Sequence, residues 1–180
     1  DLVPIIEKII LDCPNVEKLV ILCSKADLPS TKFSEVISYE ELLSMGSENF
    51  EWIKGEETDA CGICYTSGTT GNPKGVVYTH RSNTLHALTQ AAPDMLNLSS
   101  TDTIMPVVPL FHANGWSIAY TAPLVGSSIV FPGGDLSPSS LYDMLERGVT
   151  ITAAVPTVWL LLLNFLESEK KELSSLKRVV

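Results

Sequence analysis

Between Thr66 and Gly75 the chain reads TSGTTGNPKG. These ten residues hold three glycines, four Ser/Thr hydroxyls, one proline and one lysine. Glycine and proline break a helix, and the runs on either side, ACGICYT and VVYTH, are rich in residues that favour strands. The stretch is therefore expected to be a loop joining two strands inside a domain. Backbone N–H groups that converge in such a loop form a concavity suited to anions, and glycine lets them approach a ligand closely. Ser and Thr hydroxyls add uncharged donors, and a lysine adds a point charge that suits phosphate. Strand, loop and strand together read as a polyphosphate cradle.

Two commoner cradles are excluded. A P-loop needs G-x-x-x-x-G-K-[ST] opening a helix, but here Lys74 follows Pro73, and Gly75 stands where a magnesium-binding hydroxyl would be needed. The dinucleotide pattern G-x-G-x-x-G is absent.

Strands alternate with helices along the rest of the chain. VPIIEKIIL has helical apolar spacing, and Glu17–Cys23 reads as a short buried strand followed by a loop, SKADLPSTKF. Ser38 with Glu41 three residues on forms a capping box that opens a short helix. GSENFEWIKGEETD is polar surface. RSNTLHALTQAAPDMLNL reads as a helix interrupted at Pro93, and DTIMPVVPL as extended. FHANGWSIAYTAPLV is a loop running into an apolar helix, and SSIVFPG is a strand. Ser137 as N-cap, Pro138 at the first helical position and Gly148 past the end mark a further helix. TITAAV is a strand, PTVWLLLLNFLESEKKEL a helix and LKRVV the start of another strand. The alternation predicts an α/β fold with a mixed or mostly parallel sheet flanked by helices.

The chain has 180 residues, 45% hydrophobic and 18% charged, which suits a folded domain with a core. Its net charge of −9 argues against non-specific binding to DNA or an anionic membrane. The longest apolar stretch, Val149–Leu163, is short for a bilayer and contains Pro156, so no transmembrane segment is expected. The acidic opening, DLVPIIEKIILDCPN, lacks the basic start of a signal peptide, and a cytoplasmic protein is expected. Both ends look cut. Of the four cysteines, Cys61 and Cys64 form a C-x-x-C without a second pair to complete a zinc set. They are read as strand core, with side chains on opposite faces.

The segment YTSGTTGNPKGVVYTHR resembles the signature loop of the acyl-adenylate-forming superfamily of AMP-binding enzymes. PLFHANGWS, Pro109–Ser117, resembles that superfamily's next motif, in phrasing similar to medium- and long-chain fatty acyl-CoA ligases and methylthiopropanoate-CoA ligases. TAAVPTVW fits the same group, and the likeness covers essentially the whole chain. Such enzymes join a carboxylic acid to ATP, giving an acyl-adenylate and pyrophosphate, then pass the acyl group to coenzyme A. The resemblance implies that Thr66, Ser67, Gly68, Thr69, Thr70 and Gly71 wrap the phosphates, with Lys74 near the β/γ end. It implies that Thr66 helps to hold Mg2+, with a glutamate beyond Val180. It puts Phe111, His112 and Trp116 between nucleotide and acyl tunnel, Trp116 matching an aromatic gate of long-chain members; without the motif, a His or Trp there is ordinary core packing. His80 and His86 receive no role.

The family's adenine-facing segment, its ribose-binding aspartate and its C-terminal catalytic lysine have no counterpart in these residues. Residues 1–180 are therefore expected to form the central portion of the AMP-binding N-terminal domain, with the C-terminal domain absent and no complete catalytic set. The expected partners are a carboxylic acid, ATP and CoA, with no nucleic acid, and homodimerisation is an option for the full-length enzyme. Two alternatives stay open: an adenylation domain or aromatic-acid ligase, and a truncated non-catalytic nucleotide-binding module.

Overall fold

A computed structural model describes residues 2–67 and 71–180; Gly68, Thr69 and Thr70, expected to wrap the phosphates, lie outside the described residues. The chain divides into two compact units, 1–54 and 55–180.

The first unit opens with α1 (Val3–Ile9), which has Pro4 in its first turn and runs into a 3-10 turn, Ile10–Asp12. Strand β1 (Leu19–Ile21) pairs in parallel with β2 (Val36–Ser38), a strand that the residue pattern did not signal. β1 was expected to be buried but is only half-covered, because β2 is its one sheet partner among the described residues. Helix α2 (Tyr39–Ser44) starts on the expected capping box: the Glu41 N–H donates to Ser38 Oγ at 3.2 Å, and the Ser38 N–H donates back to Glu41 Oε2 at 3.4 Å.

The second unit begins with an antiparallel hairpin of β3 (Ala60–Thr66) and β4 (Lys74–Thr79). Helix α3 (His80–Ala91) follows without a loop, capped by Thr79 and Ser82. Next come β5 (Thr103–Val107), a four-residue turn α4 (Ala113–Trp116), helix α5 (Ile118–Val125) and β6 (Ser128–Ile129). Helix α6 (Pro138–Leu145), β7 (Ile151–Ala154), α7 (Pro156–Glu169) and β8 (Arg178–Val179) complete the order. Four of these strands form one parallel sheet, ordered β6-β5-β7-β8.

The pleat of the two central strands divides the core. Ile104, Ile151 and Ala153 face one side, where Leu96, Leu98 and residues Ile118 and Ala122 of α5 cover them. Met105, Val107 and Ala154 face the other, covered by Leu141, Leu145 and Val149 of the α6 region and Leu162 of α7. Helices on both faces explain why β5 and β7 read as continuous apolar runs. The buried Thr152 hydroxyl donates to the Met105 carbonyl at 2.8 Å, so the polar group in this layer is satisfied.

At the amino ends of the sheet strands a buried carboxylate ties three segments together. Asp102 Oδ2 accepts from the Ser99 N–H and hydroxyl, each at 3.0 Å, and from Arg178 Nη2 at 3.2 Å; Oδ1 accepts from the Thr150 hydroxyl at 2.8 Å. Burial alone would raise the Asp102 pKa. The hydrogen bonds from Thr150 and Ser99 and the charge of Arg178 outweigh it and hold the carboxyl below its ordinary value.

Candidate functional site

The hairpin defines the loop more tightly than the residue pattern did. Lys74 and Gly75 were read as loop but are already strand: Lys74 pairs with Thr66 and Gly75 with Tyr65. The connection thus runs from Ser67 to Pro73, and Thr66 and Lys74 stand opposite each other at its root. Directly opposed residues in an antiparallel pair share a face at Cβ separations of about 4.5–5.5 Å. A hydroxyl and an ammonium therefore flank the loop on one side, both exposed, and no ion pair engages Lys74 among the described residues. Gly71 lies at φ 92°, a backbone conformation that favours glycine, with open space around it.

The reading of Cys61 and Cys64 as strand core is corrected. β3 pairs only with β4 among the described residues, so neither thiol reaches a core; Cys61 is exposed and Cys64 half-buried. Register slips between Ala60 and Gly62, making Cys61 the extra residue of a bulge and breaking the simple alternation. Cys64 lies on the Thr66/Lys74 face of the strand, two residues before Thr66. Its thiol donates to the Phe111 carbonyl at 3.4 Å. This contact brings the root of the loop and the PLFHANGW segment together on one side of the hairpin, at the carboxyl end of β5 where parallel α/β sheets bind ligands.

That segment has an unusual backbone. Ala113, Asn114, Gly115, Trp116 and Ser117 have φ of 46°, 54°, 61°, 55° and 62°, so α4 is a turn of left-handed helix. Left-handed backbone costs roughly 1–2 kcal/mol per non-glycine residue and persists only where surroundings enforce it. Here the Gly115 N–H donates to the His112 carbonyl at 3.0 Å and the Ser117 N–H to the Asn114 carbonyl at 3.2 Å. Downstream, the Thr121 hydroxyl donates to the Ser117 carbonyl at 3.0 Å, anchoring the turn to α5. A Cβ on Gly115 would sit 2.8 Å from Leu110 Cδ2, so glycine answers to space as well as φ. The Asn114-Gly115 pair is thus held in a strained, left-handed conformation.

His112 and Phe111 are exposed, whereas Trp116 is half-buried and packs against the Ile104–Ile118 side of the core. Trp116 also borders a cleft of about 370 Å3 lined by Asn83, His86 and Gln90 of α3 together with Tyr78 and Ala113. His86, which sequence reasoning left without a role, is thus a cleft residue. The available signal was polar spacing: Asn83, His86 and Gln90 recur at three and four residues, one face of a helix. A smaller cleft of about 270 Å3 lies against Trp116 as well, with Gln90, Met95 and Leu96. No group of His, Cys, Asp or Glu side chains capable of holding a metal occurs among the described residues, and no described helix is long and apolar enough to cross a membrane.

Known proteins are similar to this chain in sequence and in fold. The AMP-binding enzyme family matches over residues 6–180. A medium-chain-fatty-acid–CoA ligase of Ectopseudomonas oleovorans is 44% identical over 178 residues, which are 98% of this chain and 33% of that protein. A long-chain-fatty-acid–CoA ligase of Thermus thermophilus is 42% identical, over 100% of this chain and 32% of its own. In structure, a long-chain-fatty-acid-CoA ligase of Archaeoglobus fulgidus superposes with a TM-score of 0.74 at 31% identity, covering 97% of this chain and 37% of that one. The chain therefore spans about a third of the length of the curated relatives it matches.

Proposed function

The chain belongs to the AMP-binding enzyme family, and on that premise we propose that it is the phosphate-loop portion of a ligase that activates a fatty acid with ATP and transfers the acyl group to coenzyme A. In the first half-reaction a carboxylate oxygen bonds to the α-phosphorus of ATP while the bond to the leaving oxygen breaks. The products are an acyl-adenylate and pyrophosphate. In the second, the CoA thiol, losing its proton, attacks the acyl carbon and AMP departs.

The observation that carries this reading is the shared face: Thr66 and Lys74 root the loop beside the carbonyl of Phe111, which Cys64 holds at 3.4 Å. Negative charge gathers on departing pyrophosphate, and donors aimed at that charge lower the barrier. The Lys74 ammonium and the Thr66 and Ser67 hydroxyls would supply those donors, together with loop N–H groups near Gly71. When bound, Mg2+ would neutralise phosphate charge. A single Thr66 hydroxyl suits it, because Mg2+ is held largely by phosphates and one or two carboxylates. Phe111, His112 and Trp116 would lie where the acyl chain meets the nucleotide. ATP and CoA as co-substrates go with a cytoplasmic enzyme.

The test uses the full-length protein that carries this chain. Octanoate-dependent ATP–pyrophosphate exchange and octanoyl-CoA formation are both expected, while the 180-residue chain alone is expected to make no acyl-CoA, because lost positioning costs about 7–11 kcal/mol. Nucleotide binding without exchange for any acid would overturn the ligase reading in favour of a non-catalytic module.

A further inference from the structure

Both thiols of the C-x-x-C in β3 are engaged, and they reach in different directions. Cys61 Sγ, in the bulge, accepts from Asn83 Nδ2 of α3 at 3.1 Å and donates to the Tyr78 carbonyl of β4 at 3.5 Å. Cys64 Sγ instead leaves the hairpin and donates to the Phe111 carbonyl at 3.4 Å. Among the described residues this is the one hydrogen bond between the hairpin and the segment from Thr103 to Ser117, and no other donor reaches that carbonyl. One face of the pleat carries Cys64 and then Thr66, opposite Val76 and Lys74. The thiol is therefore one same-face step, about 7 Å, from the hydroxyl at the loop root.

We infer that Cys64 is a positioning residue for adenylate formation: its hydrogen bond to the Phe111 carbonyl sets the root of the phosphate loop in register with the segment that begins at Phe111. The inference rests on the proposed ligase reading, in which the loop root holds the nucleotide phosphates and that segment borders the acid. The two stretches lie 47 residues apart in the chain, and they share no strand ladder: β3 pairs with β4, while β5 belongs to the parallel sheet. The Phe111 side of the contact is rigid, because the left-handed turn that follows is anchored to α5 through Thr121. The thiol thus ties the hairpin to a fixed point. A thiol is a weak donor, but a misplacement of about 1 Å between reacting groups can cost a hundredfold in rate. The demand falls on one half-reaction. Before it, acid and ATP are separate molecules whose carboxylate and α-phosphorus must be aligned by the protein. After it, a covalent bond joins acyl group and phosphate, and that alignment is no longer required.

The experiment compares Cys64→Val, Cys64→Ser, Cys61→Ala and the unaltered full-length protein. Valine suits a strand and keeps the bulk of the side chain but has no donor, whereas serine keeps a donor. Octanoate-dependent ATP–pyrophosphate exchange, thioester formation from preformed octanoyl-adenylate and thermal melting are measured for each. Cys64→Val is expected to lower kcat for exchange about tenfold, with KM for ATP and for octanoate each within roughly twofold. Its thioester step and melting temperature are expected to stay close to those of the unaltered protein. Cys64→Ser is expected to recover most of the lost exchange rate. Cys61→Ala, whose bonds lead to α3 and β4, is expected to leave exchange nearly unchanged. Equal rates for the valine and serine variants, an unchanged kcat in Cys64→Val, or equal losses in both half-reactions with a lowered melting temperature would each overturn the inference while leaving the ligase reading intact. Absence of exchange with every acid in the unaltered protein would overturn the ligase reading and this inference with it.

Discussion

Single side chains carry the most direct tests. Thr66 and Lys74 face each other at the loop root, so removing either should weaken the hold on departing pyrophosphate rather than on CoA. Thr66→Ala and Lys74→Ala are each expected to slow ATP–pyrophosphate exchange about ten- to a hundredfold, from losses of roughly 1.5–3 kcal/mol per charge-assisted contact. Thioester formation from preformed acyl-adenylate is expected to change much less; equal losses in both assays would remove the pair from that role. Asp102 tests stability instead. Its carboxyl is held below the ordinary value of about 3.9, so its contribution is complete above that pH and is lost as pH falls through the lower folded-state pKa. Asp102→Ala is expected to cost about 3 kcal/mol at neutral pH, since Arg178 is left partly buried without its partner. The variant's urea midpoint should also vary less with pH below about 4 than that of the unaltered protein. Nothing in the spacing of residues announced this network, because Ser99, Asp102, Thr150 and Arg178 meet only when the sheet closes.

Among the elements, those fixed by local chemistry were legible in the sequence. The capping box at Ser38 and Glu41, the Ser137–Pro138 start of α6 and the end of α3 before Pro93 are each decided within a few residues. Elements decided by distant partners were not. β2 exists because β1 offers it an edge, and β3 stays exposed because a hairpin, not the parallel sheet, claims it. The hand of α4 was hidden too: FHANGWS contains one glycine, yet its last five residues adopt positive φ. That backbone can be probed directly. Ala113→Gly should relieve strain and raise stability by about 1 kcal/mol, after the entropic penalty of a new glycine. Gly115→Ala should lower it by about 1–3 kcal/mol, from the positive φ and the approach to Leu110. Thermal melts of the two variants moving in the same direction would contradict a left-handed turn.

On the scale of the whole molecule, the core is unevenly distributed. Every buried hydrophobic residue among those described lies between Ala87 and Leu162, whereas Ser38 is the one buried residue described in the first unit. Native-state hydrogen exchange should therefore show the amides of β1 and β2 exchanging well before those of β5 and β7. Matching protection in the two sheets would mean that the first unit draws stability from contacts this division does not contain. The strand order β6-β5-β7-β8 has a consequence for synthesis on the ribosome. Met105 and Thr152, paired in register at the centre of the sheet, are separated by 47 residues of chain. At about 5–20 residues per second, β5 emerges roughly 2–9 s before the strand that completes it. During that interval the nascent chain displays Ile104, Met105 and Val107 with only the edge strand β6 to pair beside them, which makes this span the one a holding chaperone would engage.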